Sequence, residues 1–122
     1  MQRLFHIVDR TAWTYATAAG EYRPPSLATE GFVHFSFADQ VAGTANLLYR
    51  DVEDLIVVEF AAERLGADVV IEDSTGSGTR FPHVYKAIPV ASAVAIHALC
   101  RDGVGDYVFT PGRASGAASP DR

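Results

Sequence analysis

Three histidines in strand-like settings are the residues of this sequence best suited to chemistry. His6 lies within residues 4–8, His34 within Glu30-Gly31-Phe32-Val33-His34-Phe35-Ser36, and His83 within Phe81-Pro82-His83-Val84-Tyr85. Successive side chains of an extended chain point to opposite faces. Phe32, His34 and Ser36 are therefore expected on one face and Val33 and Phe35 on the other, while His83 shares a face with Tyr85. Imidazoles titrate near neutrality and serve as acids, bases or hydrogen-bond partners. If the three strands are neighbours, their imidazoles line one cleft with Ser36 and Tyr85. The plainer reading of any one of them is a buried histidine with a satisfied hydrogen bond, and His97, in an Ala-rich strand, is read that way. Three imidazoles would also suit zinc with water as the fourth ligand. No pair has a short ligand spacing such as His-x-x-x-His, so no metal is expected. Cys100 is the sole cysteine, which excludes an intrachain disulfide. No Gly-x-Ser-x-Gly elbow is present, which gives a serine hydrolase little support.

The elements that must position these residues follow from pattern. Gly31 opens the His34 strand, where a backbone without Cβ permits a tight turn or the close approach of a ligand. Ser36 closes it as an expected helix N-cap, with Asp39 three residues on. A helix capped by Asp9 or Thr11 is predicted to run to about Ala19, with Ala12, Tyr15, Ala16 and Ala19 as its apolar stripe and Gly20 as its C-cap. Residues 21–27, with Pro24 and Pro25, read as a stiff extended connector that brings Tyr22, Arg23 and Ser26 to the rim of the same cleft. A second helix is predicted over 38–49 with Val41, Ala45, Leu48 and Tyr49 inward, and Asn46 on the surface. Strands are predicted over 54–60, 69–71, 81–89 and 94–99, with a one-turn helix over 61–66. Glu59 is expected to face solvent, and Pro82 to mark a strand start or edge. Residues 73–80 are small and polar with two glycines and read as a loop; without a lysine or a following helix they make a poor phosphate loop. Asp102-Gly103 and Gly105 mark a hairpin returning over 106–110.

At 122 residues and 48% hydrophobic composition the chain is read as one domain over 1–110, followed by a disordered tail over 111–122. A net charge of −5 without a Lys/Arg cluster argues against an extended nucleic acid as partner. It leaves room for a single nucleotide held by a few amides and one arginine. No apolar run approaches a membrane span, and residues 1–4 carry no signal-peptide pattern; a cytoplasmic monomer is the expectation.

Phe5-His6-Ile7, Gly20-Glu21-Tyr22, Ser26-Leu27, the Gly31–Ser36 segment and Phe81-Pro82-His83-Val84-Tyr85 resemble the small bacterial family called domain of unknown function 952. The resemblance covers the chain from Leu4 to about Leu99. That family is similar in fold to the ADP-ribosyltransferases and RNA 2′-phosphotransferases. The resemblance therefore implies an α+β fold: two small, mostly antiparallel sheets flanked by two helices, with NAD held in a cleft between the sheets. It implies a nucleotide-binding, NAD-dependent transferase acting on a nucleotide or nucleotide-derived substrate. By this likeness His6 contacts a ribose, His34 meets the nicotinamide end, Ser36, Gly31 and Ser26 belong to the cofactor site, and His83 and Tyr85 contact the acceptor or departing group. His34, His83 and Tyr85 are then the expected catalytic residues. The chain departs from the pattern at Ile7, where glycine is usual, and it lacks both a clear counterpart of the catalytic glutamate and the arginine-rich set of the phosphotransferases. Those departures define the alternative, a binding module that kept the cleft and lost the transfer chemistry.

Overall fold

The apolar run Leu55-Ile56-Val57-Val58 becomes the middle strand of the main sheet. A strand buried on both faces needs apolar residues in succession rather than in alternation. In the computed structural model, which describes residues 2–110, β1 (Arg3–Asp9) and β8 (Ala93–Ala98) flank β4 (Leu55–Ala61), both antiparallel to it. A second antiparallel sheet has β6 (Phe81–Val84) between β3 (Val33–His34) and β5 (Val69–Glu72). Two short ribbons pair β2 (Glu21–Tyr22) with β7 (Ile88–Pro89) and β9 (Cys100–Arg101) with β10 (Tyr107–Val108). The tail predicted at 111–122 lies outside the described residues.

The sheets meet along one segment. Val33 and His34 pair with Val84 and His83 of the second sheet, and two residues later Ser36 exchanges both backbone hydrogen bonds with Phe5 of β1, at 2.9 and 2.7 Å. Leu4, Val8, Ile56, Val58 and Phe60 from one face of the main sheet pack on Val33, Phe35 and Val84 of the second, closed by Trp13 and Ala16. The opposite face, Phe5, Ile7, Leu55 and Val57, is covered by Val41 and Ala45 of α3 (Val41–Leu48) and by Tyr107.

Helix α1 (Arg10–Ala19) is delimited as its sequence dictates. The Asp9 carboxylate accepts from the Ala12 N–H at 3.0 Å, and Gly20 at φ +87° ends the helix with its N–H on the Ala16 carbonyl. Its buried face is Trp13 and Ala16; Tyr15 is 80% exposed, so the expected stripe was rotated by part of a turn. The supposed connector contains a short helix, α2 (Pro25–Thr29), with Pro25 where the missing N–H does no harm. Ser36 is not the cap of the next helix. A 3-10 turn over Ala38–Gln40 precedes α3, and Gln40 Oε1 accepts from the Phe37 N–H at 2.9 Å. Leu48 is exposed, whereas Asn46 clamps the last ribbon: its amide donates to the Tyr107 carbonyl and accepts from the Tyr107 N–H. Pro82 is the second residue of β6, near the start as expected, but β6 is central rather than an edge. A one-turn helix, α4 (Ala62–Leu65), stands where one was predicted.

Candidate functional site

A cleft of about 770 Å³ opens between the end of β1, helix α1, the Glu21–Ser26 segment and Tyr49. Its walls include His6, Tyr15, Tyr22, Arg23, Ser26 and His34. Such a volume falls within the usual range for a small-molecule site. Of the seven predicted site residues, His6, Ser26 and His34 line it. Gly31, Ser36, His83 and Tyr85 do not.

His6 forms the floor. It is 8% exposed, and both ring nitrogens are engaged: Nδ1 lies 2.6 Å from the His34 carbonyl and Nε2 lies 2.7 Å from the Tyr22 hydroxyl. A carbonyl only accepts, so Nδ1 carries the proton. Nε2 must then accept, and the Tyr22 O–H donates to it. Burial pushes the His6 pKa down to about 4, the loss of solvation outweighing the bond to the His34 carbonyl, so the ring is neutral at physiological pH. Burial likewise raises the phenols of Tyr22 and Tyr49. The result is a fixed chain of donors from His6 to the His34 carbonyl and from Tyr22 to His6. Having spent its proton, the Tyr22 oxygen can offer a further partner only its lone pairs.

The carboxylates and the cation of the cleft are engaged. Asp9 caps α1, and Glu21 holds the Arg23 guanidinium at 2.5 Å. Ser26 Oγ donates to the Phe32 carbonyl at 2.8 Å, and its own carbonyl receives the N–H groups of Glu30 and Gly31. Gly31 turns the chain there at φ +90°, ahead of β3 rather than inside it. Ser36 is buried at the junction of the two sheets.

His34 is shared between two surroundings. Its carbonyl accepts the hydrogen bond from His6 Nδ1–H, while its side chain, half exposed, donates from Nε2 to Glu30 Oε1 at 2.7 Å. Its ring stands edge-on to His83, with centroids 5.3 Å apart. His83 is 2% exposed and donates from Nδ1 to Glu72 Oε2 at 2.8 Å; Tyr85 donates its hydroxyl to the same oxygen. Those two bonds, Tyr85's first, hold the Glu72 carboxyl below its ordinary range, and Glu72 in turn raises the Tyr85 phenol. Glu72 and Glu30 were not singled out from the sequence. The signal for Glu72 was available: strands over 69–71 and 81–89 flanking a loop form a hairpin, whose register sets Glu72 diagonal to His83. Glu59, expected in solvent, is mostly covered; it accepts from buried His97 at 2.7 Å and faces Arg3 at 3.5 Å. Among the described residues no group of His, Cys, Asp and Glu is placed to hold a metal ion. None of their helices is long and apolar enough to cross a membrane.

No curated protein matches the chain. Solved structures do. The crystal structure of protein CC0527 from Caulobacter crescentus is 31% identical, superposes with a TM-score of 0.78, and the match covers 87% of this chain and 93% of that one. The solution NMR structure of CC0527 is 32% identical, with a TM-score of 0.77 over 87% and 91% of the two chains. The family model described as "Protein of unknown function (DUF952)" matches residues 7–96, a span that holds the His34 and His83 segments and most of the cleft. On that match, the chain belongs to the DUF952 family.

Proposed function

We propose that the protein is a nucleotide-binding domain built like an ADP-ribosyltransferase, and that its cleft takes NAD or a related nucleotide for group transfer. The observation that supports this best is the pairing of His6 with Tyr22 in the cleft floor. It presents a hydroxyl oxygen that can only accept, which suits the O–H of a ribose. Tyr15, Tyr22 and Tyr49 offer aromatic surface to a base, and Arg23 is the cation available to a phosphate once it leaves Glu21. The volume of the cleft and these groups fit a dinucleotide. NAD, when bound, supplies an activated carbon–nitrogen bond to its nicotinamide. His34, at the margin of the cleft, would meet that end. The ribose contact assigned to His6 by resemblance passes to Tyr22, because His6 has no nitrogen left to give.

Titration calorimetry with NAD, ADP-ribose and phosphorylated nucleotides tests the reading. Binding is expected, weakened roughly tenfold in Tyr22→Phe through loss of one buried hydrogen bond. No heat with any of these ligands at millimolar concentration would sink it. A second reading, a binding module without catalysis, draws on the engagement of Asp9 and Glu21, which leaves no uncommitted carboxylate in the cleft. Nicotinamide release above a no-protein control would exclude this second reading.

A further inference from the structure

The face of the second sheet turned away from the core carries a cluster of which the cleft shares only His34. Strand register assembles it. His34 and Val70 stand on either side of His83, and Glu72 stands opposite Phe81. With alternation this gathers Phe32, His34, Val70, Glu72, His83 and Tyr85 on one face, while Val33, Phe35 and Val84 go to the core.

His83 is the centre of this face, and its bonding differs from that of His6. Both rings are nearly buried. His6 spends both nitrogens on the fold, as a structural histidine does. His83 spends one. Nδ1–H is committed to Glu72, a carboxylate that Tyr85 also holds in place, so Nε2 carries the lone pair. Among the described residues that nitrogen has no hydrogen-bond partner, and only 2% of the residue reaches solvent. Phe32 stacks on the ring at 4.0 Å with planes 17° apart, which fixes its plane. A carboxylate that sets an imidazole tautomer and stabilises the imidazolium that forms is the arrangement of a general base. The face has a definite charge. Glu30 and Glu72 accept hydrogen bonds from His34 and His83, and among the described residues no lysine or arginine is joined to either carboxylate.

We propose that this face is a proton-transfer site separate from the cleft: His83 accepts a proton at Nε2, Glu72 and Tyr85 are the positioning residues, His34 forms the exposed rim, and the substrates are uncharged or cationic molecules bearing a hydroxyl, an amine or a bound water. The two carboxylates select against anions. The site needs no nucleotide and stands whether or not the cleft binds one.

The test uses the full chain without a histidine tag and two activated esters, neutral p-nitrophenyl acetate and anionic mono-p-nitrophenyl succinate. In the reaction, Nε2 of His83 removes a proton from water as the water oxygen bonds to the acyl carbon. The bond to the nitrophenyl oxygen then breaks, its electron pair leaves with p-nitrophenolate, and the proton passes from His83 to solvent. Hydrolysis of the acetate is expected to be at least about tenfold slower in His83→Gln. The rate should fall in deuterated water, and the native chain should discriminate against the succinate more than free imidazole does. Native rates in His83→Gln, or discrimination no greater than that of imidazole, overturn the proposal. Nitrogen-15 spectra of the native chain keep it testable should that variant fail to fold. They should show His83 protonated at Nδ1 and bare at Nε2, and Glu72→Ala should mix the two tautomers, with Glu72→Asp restoring the first. A native His83 already mixed or reversed overturns it too.

Discussion

At the scale of single residues, the same side chain type has been put to opposite uses. His6 is a buried polar group whose two bonds make it part of the framework. Replacing it by alanine leaves the His34 carbonyl and the Tyr22 hydroxyl without partners, each worth about 1–3 kcal/mol when desolvated. His6→Ala is therefore expected to lower unfolding free energy by about 2–5 kcal/mol in urea titrations. Its acid response has a definite sign. The folded ring has a pKa of about 4 against 6.5 for the free side chain, so the unfolded chain binds the proton first. The stabilising effect of keeping His6 neutral is whole above pH 6.5 and is lost as pH falls toward 4. The total is about 3 kcal/mol by linkage. Denaturation midpoints from pH 7 to 4 should thus fall more steeply in the native chain than in His6→Gln. An equal slope in both would show that the ring titrates normally. His34 is the contrary case: with its side chain half in water, His34→Ala should change stability by less than about 1 kcal/mol, within the range of ordinary surface changes.

At the scale of elements, the legible parts were those fixed by local physics. Asp9 and Gly20 delimit α1 because a cap needs only its own turn, and β4 announced itself because both its faces are buried. Ile56→Ala, in the middle of β4, should lower stability by about 2–5 kcal/mol, well beyond His34→Ala in the same thermal melts. Gly31→Ala meets no steric obstacle, since nothing lies within 4 Å of its added Cβ. It still places a side chain at φ +90° and should cost about 1–2 kcal/mol. What stayed illegible depended on neighbours distant in sequence. The part-turn error between Tyr15 and Trp13 arose because both are large aromatics on one short helix, and only the packing of Trp13 against Tyr22 and Phe60 decides between them. Glu59 looked like a solvent residue because its cover, His97, comes from a strand nearly forty positions away. The three histidine strands were found, and alternation gave the faces of His34 and His83, but not how the strands assemble, so one expected cleft resolved into His6 beneath a pocket and His83 on an outer face. The same blindness hid Asn46, whose paired bonds to Tyr107 tie the last ribbon to α3. Asn46→Ala should speed amide exchange at Tyr107 while leaving β4 protected.

At the scale of the whole molecule, pairing between distant segments dominates. β1 has β4 as its partner along its full length, β4 has β8, and the two sheets are joined where Ser36 meets Phe5. Folds dominated by such long-range pairs gather slowly, in about milliseconds to seconds.

This arrangement also sets a schedule during synthesis. Asp9 leaves the ribosome long before Leu55, its partner at the far end of the β1–β4 ladder. At about 5–20 residues per second the gap lasts about 2–9 s. Through that interval β1 is apolar on both faces and has only the segment through Ser36 to lie against, while α1 can already wind on its own caps. Nothing closes the main sheet until Ala98 has emerged. A nascent chain stalled before residue 55 should therefore be cut readily by protease within β1 and be held by chaperones that grip extended apolar segments. One stalled well past residue 98 should resist. Protection that rises at the shorter length would mean that β1 finds a shelter during translation which the finished fold does not record.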